Sequence, residues 1–250
     1  MHTRAKNILI TGASSGIGAA LAVAYSAPSV QLTLLGRDEA RLSNVATLCE
    51  GRGAGTTIHV LDVADQAAMA VAINEANERH PLDLVIANAG IAKNQEDPSF
   101  ARQLINTNIV GILNTVEPAI EVMLARKEGH IAIMSSLAAF RALGGPPGYA
   151  GSKAWARLYG EALRGRLASK GIAVTVICPG FVSTPMTQGA GMSGISAEDA
   201  ARIIISGIDQ NSARISFPQR MAFSAWMSSV FPTWWIDRKI KWKWRKARGC

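Results

Sequence analysis

The chain has 250 residues, 48% hydrophobic and 18% charged, with 23 glycines and a net charge of +8. This composition excludes a disordered chain and a small disulfide-stapled scaffold, and the length fits one α/β domain. The charge is uneven: residues 237–248 hold seven Lys/Arg and one acid, Asp237, leaving +2 for the rest, so basicity says nothing about the body of the protein.

No charge-free apolar run reaches the ~18 residues of a spanning helix, and Met1–Lys6 leads directly into a strand-like segment rather than a signal-peptide core. Cys49, Cys178 and Cys250 are odd in number and far apart. They fit neither a disulfide framework nor a zinc cluster, and a reducing, cytoplasmic setting is expected.

Short apolar runs alternate with longer helical stretches. Strands are predicted at Asn7–Thr11, Gln31–Leu35, Thr56–Leu61, Leu84–Ala87, His130–Met134 and Ala173–Ile177. Helices are predicted at Ile17–Ser26, Glu39–Glu50, Gln66–Arg79, Ala101–Arg126 and Tyr149–Ser169, with one more opened by Ser196 as N-cap and running to about Gln210. Strands alternating with helices imply parallel βαβ units. Right-handed crossovers then give an α/β fold with a single doubly wound parallel sheet of Rossmann type and helices on both faces. One catalytic domain over residues 1–216 and a C-terminal appendage over 217–250 are expected.

After the first strand comes Thr11-Gly12-Ala13-Ser14-Ser15-Gly16-Ile17-Gly18. Three glycines at a strand-to-helix turn allow a tight bend and close approach of a pyrophosphate to the free N–H groups of the helix. The spacing is G-x-x-x-G-x-G, and a plain βα turn is the alternative. At the end of the second strand an acid would bind ribose hydroxyls, whereas Arg would accept a 2′-phosphate. Gly36-Arg37 stands there, which favours NADP, while the following Asp38 keeps NAD open. Asp62, after the third strand, suits the adenine amino group; its alternative is an N-cap, for which Asp65 is as good.

Tyr149-Ala150-Gly151-Ser152-Lys153 puts a phenol and an ammonium one helical turn apart. A nearby cation lowers a phenol's pKa from ~10 toward the working range, so such a pair can donate or accept the proton of an alcohol. Ser135-Ser136 ends the fifth strand, where ligands of such sheets bind, and offers a hydroxyl to a carbonyl.

Thr11-Gly12-x-x-x-Gly16-x-Gly18, Asp62, Ala87-Asn88-Ala89-Gly90, Asn108, Ser136, Tyr149-x-x-x-Lys153 and Pro179-Gly180 followed by Thr184 occur in the order and spacing of one family. Over about residues 5–210 the sequence resembles the short-chain dehydrogenase/reductases, in their NADP-preferring form. The resemblance implies that Tyr149 is the general acid/base, that Lys153 lowers its pKa and holds the nicotinamide ribose, and that Ser136 polarises the substrate carbonyl. It implies that Asn108 kinks its helix and holds a water of the proton relay, with Asn106 the weaker candidate. Asn88 would stabilise the sheet beside the cofactor. Cofactor contacts are further implied for Gly12, Ser14, Ser15, Gly16, Ile17, Gly18, Arg37, Asp62, Val63, Ala89 and Gly90. Pro179, Gly180, Val182 and Thr184 would meet the nicotinamide. Two departures stand out: Ala87 replaces the usual Asn, and Ser15 sits where NADP enzymes of the family often carry a basic residue.

The implied activity is hydride transfer between NADP(H) and a carbonyl or secondary alcohol. The alternatives are a non-catalytic NADP-sensing protein and a membrane-docked binding protein on the same fold. Thr184–Gly194, rich in Gly and Met and free of charge, reads as a mobile lid over a neutral or lipophilic substrate. Leu137, Ala138 and Phe140 are apolar too, and Arg141 either binds an anion or is solvated. A homodimer or homotetramer is implied by family habit. Residues 221–236 are uncharged and aromatic and precede the basic run, so residues 221–248 read as a segment lying on an anionic membrane, peripheral on its inner face. A subunit interface and single-stranded nucleic acid are the other readings, the latter least favoured.

Overall fold

A computed structural model of the chain describes residues 5–93, 97–141, 146–187, 194–232, 234 and 238. Seven strands form one parallel sheet: β1 (Asn7–Thr11), β2 (Gln31–Gly36), β3 (Gly55–Val60), β4 (Leu84–Ala87), β5 (Gly129–Met134), β6 (Ile172–Pro179) and β7 (Arg214–Phe217). Their order is β3-β2-β1-β4-β5-β6-β7. The order reverses direction between β1 and β4, and that switch point opens a crevice at the carboxyl ends of the strands.

The inner strands β1, β4, β5 and β6 are buried along most of their length because both faces are covered. Ile8 and Ile10 point to one face, against α1 (Gly16–Tyr25), α2 (Glu39–Glu50) and α7 (Ala197–Asp209). Leu9 points to the other, against α3 (Gln66–Arg79), α5 (Gly111–Arg126) and α6 (Pro147–Leu167). This period-two alternation divides the interior into two cores, one on each side of the sheet.

Helix boundaries follow local chemistry. Asp38, Asp65 and Ser196 cap α2, α3 and α7 by accepting from backbone N–H groups three residues on. The long helix expected over Ala101–Arg126 is broken in two. It consists of α4 (Pro98–Ile105) and α5, joined by a π-helical turn at Asn106–Val110. By length and composition the run Pro98–Arg126 could cross a bilayer, yet in the fold it is an interior helix packed on α3 and α6.

Two elements escaped the sequence pattern. Arg214–Phe217 is a seventh strand of only four residues, paired with β6. Beyond it, α8 (Gln219–Val230) packs on β7 and on the short turn Leu137–Ala139. Phe217, the first residue of the expected appendage, closes β7, and Ala222 joins a small core with Leu137, Val176 and Cys178. Residues 233, 235–237 and 239–250 of the basic tail lie outside the described residues.

Candidate active site

The glycine turn leaves β1 with Gly12 at φ +65° and enters α1 with Gly16 at φ +56°. Gly18 serves packing: a Cβ there would meet the Gly12 carbonyl oxygen and come within 2.6 Å of Asn88 Nδ2. That amide holds the turn by donating to the carbonyls of Thr11 (2.9 Å) and Gly12 (3.3 Å). Thr11 Oγ1 accepts from the backbone N–H of Asn88 and Ala89. Gly18→Ala is therefore expected to destabilise the fold by about 2–3 kcal/mol, because the atom it strikes is backbone; thermal unfolding measures it.

The first turn of α1 has no side-chain cap and no acid. Its unpaired N–H groups and the positive end of the helix dipole suit an anion. Ser14, Ser15, Gly16 and Ile17 line a cleft that continues past Arg37, Asp62 and Val63 on one side. On the other it passes Asn88, Ala89 and Gly90 to Ser136, Tyr149, Lys153, Pro179, Gly180, Val182 and Thr184. Of the expected site residues, only Gly18 and Asn108 do not line it.

Asn108 is fully buried in the π-turn. Its Oδ1 accepts from the Ile91 N–H (2.8 Å), and its Nδ2 donates to Ile91 O (3.0 Å) and Ser152 Oγ (3.1 Å). The side chain thus ties the segment after β4 to α6 and does not reach the cleft.

Both serines at the end of β5 border the cleft, but their hydroxyls are used differently. Ser135 is buried and donates to the Lys153 carbonyl (2.7 Å), binding β5 to α6. Ser136 lines the cleft, accepts from the Ala138 N–H (3.1 Å) and is hydrogen-bonded to Tyr149. The turn after it is clamped to α6: the guanidinium groups of Arg157 (4.9 Å) and Arg214 (5.3 Å) both lie over the Phe140 ring. Glu161 on α6 accepts from both arginines. Arg141 donates to the carbonyls of Ser228 (2.6 Å) and Phe231 (2.8 Å), satisfying the end of α8.

Lys153 is 4% exposed, with Nζ donating to Met134 O (3.1 Å) and lying 5.8 Å from the Tyr149 ring centre. Burial lowers its pKa to about 8. The expected depression of the Tyr149 pKa is not found. Burial raises the phenol above its usual value, and the Ser136 hydrogen bond acts in the opposite sense.

At the other end of the cleft stands Arg41, which the sequence reading passed over. It lies four residues after Arg37, one turn along α2, and that spacing was the available signal. Asp38 is consumed locally: it caps α2 through the Arg41 N–H (3.0 Å) and accepts from Arg41 Nε (2.7 Å). Arg37 pairs with Asp62 at 3.4 Å, both side chains being exposed. Of the expected lid, Thr184–Thr187 borders the cleft, and Thr187 Oγ1 donates to Val182 O (2.7 Å). Residues 188–193 lie outside the described residues.

The short chain dehydrogenase profile matches residues 6–193. An uncharacterized oxidoreductase of Myxococcus xanthus is 34% identical over 238 residues, spanning 91% of this chain and 93% of that protein. The oxidoreductase UcpA of Escherichia coli is 35% identical over 192 residues, 73% and 72% of the two chains. Among solved structures, a short-chain dehydrogenase from Sphingobium yanoikuyae in complex with NADPH has TM-score 0.78 at 23% identity, covering 90% of this chain and 96% of that one. One from Mycobacterium paratuberculosis bound to NAD has TM-score 0.78 at 21% identity, covering 86% and 97%. A profile match over most of the chain, relatives above 30% identity and the shared sheet converge, and the chain belongs to the short chain dehydrogenase family of oxidoreductases.

Proposed function

We propose that the protein reduces a neutral, lipophilic carbonyl compound with NADPH, or oxidises the corresponding alcohol, using Tyr149 as general acid/base. The observation that carries this reading is one continuous cleft joining the uncapped α1 N-terminus to Ser136, Tyr149 and Lys153. Gly12 and Ser14–Ile17 would hold a pyrophosphate, Asp62 and Val63 the adenine, Lys153 the nicotinamide ribose, and Pro179, Gly180, Val182 and Thr184 the nicotinamide. A bound nicotinamide supplies the hydride chemistry. The chain supplies the proton and the polarity: Ser136 Oγ orients and polarises the substrate oxygen, and Tyr149, protonated at neutral pH, gives that oxygen its proton. Asn108 acts through Ile91 and Ser152 as a positioning residue.

The preference for NADP rests on Arg37: Asp38, the carboxylate that would favour NAD, is engaged as a helix cap and with Arg41, which also lines this end of the cleft. The exposed, long Arg37–Asp62 pair is weak and leaves Arg37 available to a 2′-phosphate. Arg37→Asp is expected to shift the ratio of kcat/KM values toward NAD by about ten- to a hundredfold, the worth of a charge-assisted phosphate contact. An unchanged ratio removes the NADP assignment. Ile91, Met134, Pro185 and Met186 give the substrate end an apolar lining, which supports an uncharged substrate. Following NADPH absorbance across a panel of ketones and alcohols tests the reaction, and absence of turnover throughout favours the NADP-sensing alternative. Assembly as a homodimer or homotetramer is carried from the family resemblance, and light scattering tests it.

A further inference from the structure

Helix α8 is mounted inside out. Its small residues Ala222, Ala225 and Ser228 face the protein, where Ala222 and Ala225 pack with Leu137 and Phe140. Its large apolar residues Phe223, Trp226 and Val230, spaced i, i+3, i+7, form the opposite face. They are 65%, 46% and 63% exposed, and Trp234 beyond the helix is 66% exposed. The rings of Phe223 and Trp226 lie 6.1 Å apart, so the stripe is continuous. A surface helix of a water-soluble domain ordinarily buries such side chains, and an apolar stripe left outside marks an interaction surface.

The mounting is firm. Gly180 N donates to Phe217 O (2.7 Å) just before α8 begins. At the far end Arg141, five residues after Ser136, holds the carbonyls of Ser228 and Phe231. The exposed stripe is thus fixed at both ends to segments that border the substrate side of the cleft. Immediately beyond it the sequence carries Arg238, Lys239, Lys241, Lys243, Arg245, Lys246 and Arg248, interleaved with Trp242 and Trp244.

We infer that α8 docks the protein on an anionic lipid bilayer, its Phe223–Trp226–Val230 face entering the interface and the following cations meeting the headgroups. The charge supplies the occupant: aromatic rings beside a dense run of Lys/Arg match an apolar interior under a negative surface, whereas a second copy of the chain would set two such cationic runs against each other. Vesicle binding does not require turnover, so this inference and the reaction assigned above stand or fall separately.

The test is co-sedimentation of the full chain with phosphatidylcholine vesicles, with and without phosphatidylglycerol, beside the F223Q/W226Q double variant. Both rings lie outside the core, so melting of the variant is expected to match wild type. The expected result is binding to the phosphatidylglycerol vesicles that weakens as salt is raised and falls at least about tenfold in the double variant. No binding by wild type, equal binding to phosphatidylcholine alone, or a double variant that binds like wild type overturns the inference. A wild-type dimer that the same substitutions convert to monomer, without vesicle binding, identifies a second copy as the occupant and also overturns it.

Discussion

Replacing Tyr149 with Phe is expected to lower kcat about a thousandfold while leaving nucleotide affinity largely unchanged. The substitution removes one oxygen from a ring that lines the cleft and keeps the ring itself. What it removes is the proton donor facing Ser136 Oγ. The interaction matters where charge develops on the substrate oxygen, so the loss falls on kcat and not on binding. Because burial holds the phenol above its usual pKa, the acid form persists well past neutrality, and the reduction direction should keep its rate to higher pH than oxidation. Turnover within tenfold of wild type would reject Tyr149 as the acid. Nucleotide binding by fluorescence quenching, measured on the same protein, separates that outcome from a collapsed site.

Lys153 is expected to give the opposite pairing of effects: Lys153→Met loses activity and gains stability. An ammonium with a pKa of about 8 in the fold and 10.5 unfolded binds fewer protons folded than unfolded between those values. Stability therefore rises with pH from about 8 to about 10.5, and at neutral pH the buried charge costs about 3 kcal/mol. The near-isosteric Met removes that cost but leaves the Met134 carbonyl without its donor, which returns about 1 kcal/mol. The net gain of about 2 kcal/mol should raise Tm by about 5 °C for a chain of this size. The same substitution deletes the cation assigned to the nicotinamide ribose, so affinity for the nucleotide should fall. A lowered Tm, or a stability that does not rise between pH 8 and 10.5 in the wild type but not in the variant, would contradict this account. A functional group maintained at the expense of the fold is the usual signature of a site.

Much of the architecture was legible because the code for it is local. A buried parallel strand needs a continuous apolar run, and a helix needs its cap; Asp65 and Ser196 announced two helix starts to the residue. Where geometry departs from local preference the reading failed. The π-turn at Asn106–Val110 is set by contacts of Asn108 with Ile91 and Ser152, residues distant in sequence, so a single long helix was expected. The four-residue β7 carries too little pattern to stand out and forms because β6 offers an open edge.

Sequence alone determined the family, the doubly wound sheet and most of the residues lining the cleft, Arg41 excepted, since each depends on residue type and spacing. Tertiary structure alone decided how they are used. It tied the Ser135 hydroxyl to α6 while Ser136 pairs with Tyr149, spent Asp38 on a helix cap, set Arg41 in the same cleft as Arg37, and made Arg141, which the sequence left as an anion ligand or a solvated side chain, the clamp of α8. It also buried Lys153 and partly enclosed Tyr149 at the cleft wall, so that desolvation raises the phenol instead of lowering it. Spacing along a helix fixes which groups are neighbours, but the cost of charging them is set by how much water the rest of the fold excludes.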